Sequence, residues 1–482
     1  CTGDKTRYLC RLFSMAKKLT FLREWDNLKN HLHFYSCTFM AIPQKLTQKI
    51  TLPQGLIDSL KIDLLGLDEF RAKIQGTLAN PDNTVTQIIE IILAGGIVFD
   101  SSDVHIEGQE NDAKLRVRLD GVLQDVVTFD KKTYEALVSR VKLLSEMKLN
   151  VSNRPQDGRF SIAAGENSVE IRASILPTEY GDSVVMRILN PKSLIGLEEA
   201  GLRKDLYDMF LEQIKRPNGM IIVTGPTGSG KTTTLYAFLK KLQSPEVKIV
   251  TIEDPIEYHL EGISQTQVEP DKGYDFISGL RAIVRQDPDV ILVGEIRDLE
   301  TVDIALQAAL TGHLVFSTLH TNDAIGAIPR LISLGAKPFN IGPAINMAVA
   351  QRLVRRVCEK CAVKEPPSEE ELAEIKEGLA AAAADLAKKG VALPEIDNTL
   401  KVARAKGCPH CANTGYRGRV GIYEAFKVDD ELQAYVLGTP TIPGIKEIVK
   451  RKGMLTLYQD GLIKVAQGIT TLEELQRVAE KN

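Results

Sequence analysis

The run Gly225-Pro-Thr-Gly-Ser-Gly-Lys231-Thr232 lies directly between an apolar stretch, Met220-Ile-Ile-Val-Thr224, and a helix-like one, Thr233-Thr-Leu-Tyr-Ala-Phe-Leu239. Strand, glycine-rich loop and helix in that order are what a nucleoside triphosphate site requires. Glycines let the loop curl with its amide N–H groups turned inward, and the helix N-terminus adds partial positive charge. Lys231 can reach the outer phosphates, and the Thr232 hydroxyl can hold Mg²⁺. Gly225, Pro226, Thr227, Gly228, Ser229, Gly230, Lys231, Thr232 and Thr233 are therefore the candidates for gripping ATP. The alternative is a glycine turn that precedes a helix by chance, which would not call for the flanking strand.

With 482 residues the chain has room for about three domains, each with its own core. Charged residues at 26%, apolar ones at 44% and a net charge of −3 give no bulk attraction to nucleic acid, so no nucleic-acid partner is expected. The longest apolar stretches, such as 91–99, fall short of the roughly 18 residues that would span a bilayer, and a soluble chain is expected. A first residue of Cys rather than Met reads as a truncated start, and residues 1–45 show no cleavage site behind an apolar core that would mark a signal peptide.

Cys1, Cys10 and Cys37 are scattered, but the other four cysteines form two pairs, Cys358-x-x-Cys361 and Cys408-x-x-Cys411. A nucleotide and magnesium place the chain in a reducing compartment, which disfavours a disulfide framework. Zinc is held tetrahedrally by thiolates, and each pair on a tight turn presents two sulfurs to one ion; Gly407, Pro409 and Gly415 suit the second turn. Four unrelated buried thiols are the alternative.

Hydrophobic period divides the chain further. Val85, Ile88, Ile89, Ile92 and Leu93 recur at helical spacing behind Asn83 and Thr84. Alternating segments at 103–107, 114–119 and 122–127 follow, with Asp120-Gly121 as a hairpin turn, then a helix over 134–146 and strands at 160–162, 168–175 and 183–189. Residues 80–189 thus read as an α+β domain, 1–79 as an irregular segment and 190–205 as a linker. From 206 to 350, strand-like runs at 220–224, 248–252, 290–293 and 314–318 alternate with helical ones, which predicts an α/β core with a mostly parallel sheet. Residues 351–425 hold the cysteine pairs with a helical insertion, and 426–482 read as a helical region.

Three segments beyond the glycine loop point at the same site. Glu253, Asp254 and Glu257 cluster just after a strand, where a water or magnesium could be held; a solvated acidic loop is the bland reading. The strand 290–293 delivers Glu295, placed to hold magnesium through water, or else to make a surface ion pair. His313 and His320 flank a third strand, and His320 with Asn322 could approach the γ-phosphate; structural histidines are the commoner outcome.

Loop, acidic box, Gly-Glu strand end and histidine box in this order resemble the secretion ATPase superfamily of type II secretion and type IV pilus machines. The likeness extends to Ser102-Asp-Val-His-Ile-Glu107, Arg154-Pro-Gln-Asp-Gly-Arg159 and Arg172-Ala-Ser-Ile-Leu-Pro-Thr178, and covers about residues 80–480. The resemblance implies a homohexamer of a PAS-like N-terminal domain and a RecA-like P-loop ATPase core, with ATP at subunit boundaries. It implies that Arg172 and Arg187 reach a neighbouring nucleotide's phosphates, that Arg281 and Arg285 lie near the interface, that Glu257 is the general base and that Glu295 supports magnesium. It further implies a zinc module of the extension or secretion branch, a site of action at the inner face of the bacterial inner membrane, and a platform protein there as partner. Peripheral membrane association would then run through partners. Two readings compete: a RecA-like nucleic-acid motor, which lacks a basic aromatic stripe here, and a ring scaffold that binds ATP without hydrolysing it.

Overall fold

Thr84 starts the helix over Val85–Val98 by a reciprocal cap: the Gln87 N–H donates to its hydroxyl, while the Thr84 N–H donates to the Gln87 side chain at 2.6 Å. The computed structural model describes residues 49–481 other than 54, 165, 166, 192, 193, 392 and 439. Its N-terminal part is a sheet of β1 (Lys49–Thr51), β2 (Asp103–Gly108), β3 (Ala113–Leu119), β4 (Val122–Phe129), β5 (Gln156–Ala164), β6 (Asn167–Thr178) and β7 (Gly181–Leu189), in the order β1-β5-β6-β7-β2-β3-β4. β1 joins parallel to β5 and the other neighbours are antiparallel. The β3–β4 turn has φ 48° at Asp120 and 84° at Gly121, the left-handed pair that an Asp-Gly hairpin favours.

Four helices pack against this sheet: α1 (Leu56–Asp63), α2 (Leu67–Ala79), α3 (Val85–Val98) and α4 (Lys131–Leu144). Residues 49–79, expected to be irregular, instead carry β1, α1 and α2, with Leu60, Phe70 and Ile74 fully buried. Their signal is weak because each helix turns only a narrow apolar face inward. Phe70 fits because Gly95 has no side chain; a Cβ there would lie 2.2 Å from its ring. The expectation for residues 1–48 lies outside the described residues.

The stretch 190–205, expected as a linker, is anchored at its far end. Leu197 and Ala200 are buried, and the Tyr423 hydroxyl donates to the Ala200 carbonyl at 2.9 Å. After α5 (Lys204–Ile214) the second sheet begins: β8 (Gly219–Thr224), β9 (Ile249–Glu253), β10 (Ser264–Gln267), β11 (Val290–Val293), β12 (Leu314–Leu319), β13 (Ile345–Val357) and, later, β16 (Tyr416–Lys427). Their order is β10-β9-β11-β12-β8-β13-β16, parallel throughout except for the last pair. Helices α6 (Lys231–Leu242), α7 (Phe276–Val284), α8 (Leu299–Leu310), α9 (Ala327–Ser333) and α10 (Pro338–Ala344) complete the layers. Met220 and Ile222 pack with α7 and α8, and Ile221 and Val223 with α5 and α6. A strand covered on both faces has no polar side, which is why β8 reads as an unbroken apolar run.

The proposed boundaries at 351 and 425 cut through β13 and β16, which belong to this sheet. The cysteine module is an excursion between them, with a small ladder of β14 (Val363–Glu365) and β15 (Val402–Arg404) and the helices α11 (Glu369–Ala380) and α12 (Ala383–Lys388). The chain then continues through α13 (Asp430–Leu437), α14 (Ile442–Arg451), α15 (Leu457–Ala466) and α16 (Leu472–Val478). Among the described residues no helix is long and apolar enough to cross a membrane.

Candidate active site

Because β8, β9, β11 and β12 run parallel, their C-terminal ends share one edge: Leu319 pairs with Thr224, Ser317 with Val293 and Val293 with Ile252. The segments that follow them must therefore converge, as ligand-binding loops do in open α/β sheets. The phosphate loop turns through left-handed φ values of 79° at Gly228 and 87° at Gly230, where α6 begins. A Cβ on Gly230 would also stand 2.8 Å from the Gln351 amide nitrogen, so glycine is required there twice over. The Lys231 ammonium donates to the Gly225 carbonyl at 2.8 Å and the Pro226 carbonyl at 3.1 Å. Burial lowers its pKa, and the Glu295 carboxylate opposes that shift. The buried Ser229 hydroxyl has no partner among the described residues, as befits a loop built to receive a ligand.

Glu253, at the end of β9, is buried and accepts from Thr251 at 2.6 Å, from Tyr236 and from Gln265 at 3.2 Å; burial raises its pKa. Glu257 is more open and pairs with Arg172 of the N-terminal sheet at 2.8 Å, while a second Arg172 nitrogen donates to the Ile256 carbonyl. Glu295 pairs with Arg297 and lies 3.4 Å from His320 Nε2. A cavity of about 540 Å³ is lined by Thr227 to Thr233, Glu253, Asp254, Glu257, Glu295 and His320, and Arg187 reaches it from β7 while held by Asp103 at 3.1 Å. Thr232 and Glu295 both line the cavity, and their hydroxyl and carboxylate oxygens are of the kind that suits a hard cation such as Mg²⁺.

Not every expected residue is there. His313 precedes β12, whereas His320 follows it; six extended residues separate the two histidines by about 20 Å, and the His313 ring contacts the Ala308 carbonyl. Arg281 faces Glu300 at 3.7 Å, and neither it nor Arg285 lines the cavity. Arg172 contacts Glu257 of its own chain. In turn the cavity takes up Tyr258, Leu353 and Arg419, which motif reading passed over.

Cys358, Cys361, Cys408 and Cys411 meet with all four sulfurs within 4.8 Å of one another. Three of the separations are 3.9, 3.8 and 3.7 Å. A tetrahedron with metal–sulfur bonds of about 2.3 Å has sulfurs about 3.8 Å apart, so the cluster fits zinc. Left-handed φ values at Gly407 (93°) and Gly415 (77°) shape the second turn, and the Gly415 N–H points at Cys411 Sγ at 3.2 Å.

Parallel strand ends, a phosphate loop with its lysine, and carboxylates across the cavity define a P-loop nucleotide-binding protein of the α/β class. A family model described as Type II/IV secretion system protein matches residues 79–477, and the chain belongs to that family. It is similar to the type IV pilus assembly ATPase PilB of Thermus thermophilus, 43% identical over 404 residues, covering 84% of this chain and 44% of that protein. It is equally similar to the type II secretion system ATPase E of Vibrio cholerae, 43% identical over 422 residues, covering 87% of this chain and 80% of that one. The chain thus spans less than half of the first relative and most of the second. The pilus retraction motor PilT with bound ADP superposes with a TM-score of 0.54 at 26% identity, over 81% of this chain and 96% of its own. The ATPase DotB of Legionella pneumophila shares the fold, with a TM-score of 0.60 at 20% identity, over 83% and 96%. The expected class, a secretion-type ATPase, is the one these relatives carry in their names.

Proposed function

We propose that the chain is a mechanical ATPase that hydrolyses ATP to ADP and phosphate and drives assembly of a type IV pilus or a type II secretion pseudopilus. The observation that carries this reading is the single cavity in which Lys231, Glu257, Glu295 and His320 meet from four separate segments. Loop amides and Lys231 grip the outer phosphates, and Thr232 with Glu295 would hold Mg²⁺, which would neutralise charge on the phosphate oxygens. Glu257 takes a proton from the attacking water as the bond from γ-phosphorus to the bridging oxygen breaks. Arg172 occupies Glu257 through an ion pair, so the base is freed only when the N-terminal sheet shifts; this links the chemistry to domain position. A zinc ion held by the four cysteines would be structural, since all four ligands would be thiolates and no position would be left to substrate.

The working form in this reading is a homohexamer in which PAS-like and RecA-like parts alternate, with Arg172 and Arg187 engaging phosphates across subunit boundaries. The exposed Arg281 and Arg285 suit such a boundary. The ring acts in the cytoplasm on an inner-membrane platform protein, in keeping with the names of the pilus and secretion relatives. Phosphate release by the wild type and by Glu295→Gln tests hydrolysis against a scaffold role. A turnover in the wild type that the variant loses supports the motor; equal, negligible rates in both support the scaffold.

A further inference from the structure

β13 lies beside β8, with Ala350 opposite Thr224, so the next residues, Gln351 and Arg352, run directly beneath the phosphate loop. Gln351 is buried, and its side-chain oxygen accepts from the Thr234 hydroxyl of α6 at 2.8 Å. Its amide nitrogen stands 2.8 Å from where a Gly230 Cβ would be, and its backbone carbonyl oxygen 2.6 Å from where a Gly225 Cβ would be. One glutamine thus touches the loop at both ends and the helix that follows it. Arg352 extends the contact sideways: one guanidinium nitrogen donates to the Asn322 carbonyl in the histidine segment at 2.8 Å, and the other to the Gln351 carbonyl at 3.1 Å.

Beyond Arg352 the chain of contacts continues. Glu424 of β16 is buried and accepts the Ala324 N–H at 2.9 Å, immediately after the histidine segment. Asp323 and Glu424 are the carboxylates that act on Arg352, and Arg352 in turn opposes the charged form of Lys231. A guanidinium this close to the phosphate lysine adds positive potential to the cradle while its hydrogen bond holds the loop that carries His320.

We propose that Gln351 and Arg352 are positioning residues for nucleotide turnover: Gln351 clamps the phosphate loop in its curled form, and Arg352 ties that loop to the histidine segment so that the two shift together. This rests on the ATPase reading above and adds two residues that it does not use. The pair divides the labour. Loss of the Gln351 clamp loosens ground-state grip on phosphate, and loss of the Arg352 tie misplaces the histidine side of the site when charge moves.

Steady-state kinetics with Mg-ATP on the full chain test the split. Gln351→Met keeps the volume and removes the acceptor; it is expected to raise KM about ten-fold with kcat nearly kept. Arg352→Met is expected to lower kcat about ten-fold with a smaller change in KM, and Arg352→Lys, which can still donate to Asn322, to recover a good part of it. A merely structural role would lower the thermal midpoint without separating KM from kcat or distinguishing Lys from Met. Should Gln351→Met not fold, Thr234→Val removes the other partner and should show the same rise in KM. If the wild type turns over ATP and the folded variants match it in both constants, this inference is overturned while the ATPase reading stands. A wild type without turnover sinks that reading, and this one falls with it.

Discussion

Glu257 and Glu253 stand four positions apart, yet their surroundings give them different work. Glu253 is buried and saturated by Thr251, Tyr236 and Gln265, so it holds the strand end in place. Glu257 is half-buried and meets one mobile-stemmed partner, Arg172. Glu257→Gln is therefore expected to cut phosphate release about 100-fold with nucleotide affinity little changed, as measured by turnover and by binding of a fluorescent ATP analogue. The histidines separate in the same way: His320→Ala should lower turnover, while His313→Ala, about 20 Å away along β12, should leave it within about two-fold. Local motifs made Lys231, Glu257 and Glu295 legible because each lies within a few residues beyond the end of a recognisable strand. Gln351, Arg352 and Arg419 were not legible, since they reach the site through pairing with strands far away in sequence. The Arg172 contact spans 85 positions and has no local signal at all.

At the scale of elements, α16 docks on β13 through one carboxylate. The Glu474 side chain is buried and receives Arg355 at 2.7 Å and Arg477 at 2.7 Å. Burial alone would raise its pKa, but hydrogen bonds from Arg477 and Arg355 outweigh it and bring the group down to about 2. Such a carboxylate stabilises the fold above its unfolded value of about 4.3 and loses that contribution as pH falls toward its folded value. Thermal midpoints should thus drop between about pH 4 and pH 2 in the wild type. Glu474→Gln is expected to cost about 3 kcal/mol at neutral pH and to flatten that acid-range fall, because two arginines lose their charge partner. The adjoining cysteine module gives a separate test: the chain should carry one zinc by atomic emission, and chelation or Cys408→Ser should release it and lower the module's unfolding temperature. The strands β8, β9, β11 and β12 are legible because both their faces are covered and their runs are apolar. The helices α1 and α2 are not, because their few apolar positions make a weak period, and neither is the full extent of β13 and β16, whose pairing is visible only once the sheet is formed.

For the whole molecule, the N-terminal sheet and the P-loop core both line the candidate cavity, the first through Arg187 and the second through the phosphate loop. A motor needs such sharing, because hydrolysis at a site confined to one rigid part moves nothing. If arginines also act across subunit boundaries in a ring, then mixing Arg172→Ala chains with wild type should depress activity more steeply than in proportion to their share. A proportional fall would confine Arg172 to its own chain, where it holds Glu257. The most direct measurement of the central claim is magnesium-dependent phosphate release from ATP by the purified chain, beside Lys231→Ala. The account predicts turnover in the first and its loss in the second. Equal release by both, or no affinity of the folded wild type for Mg-ATP, would contradict it.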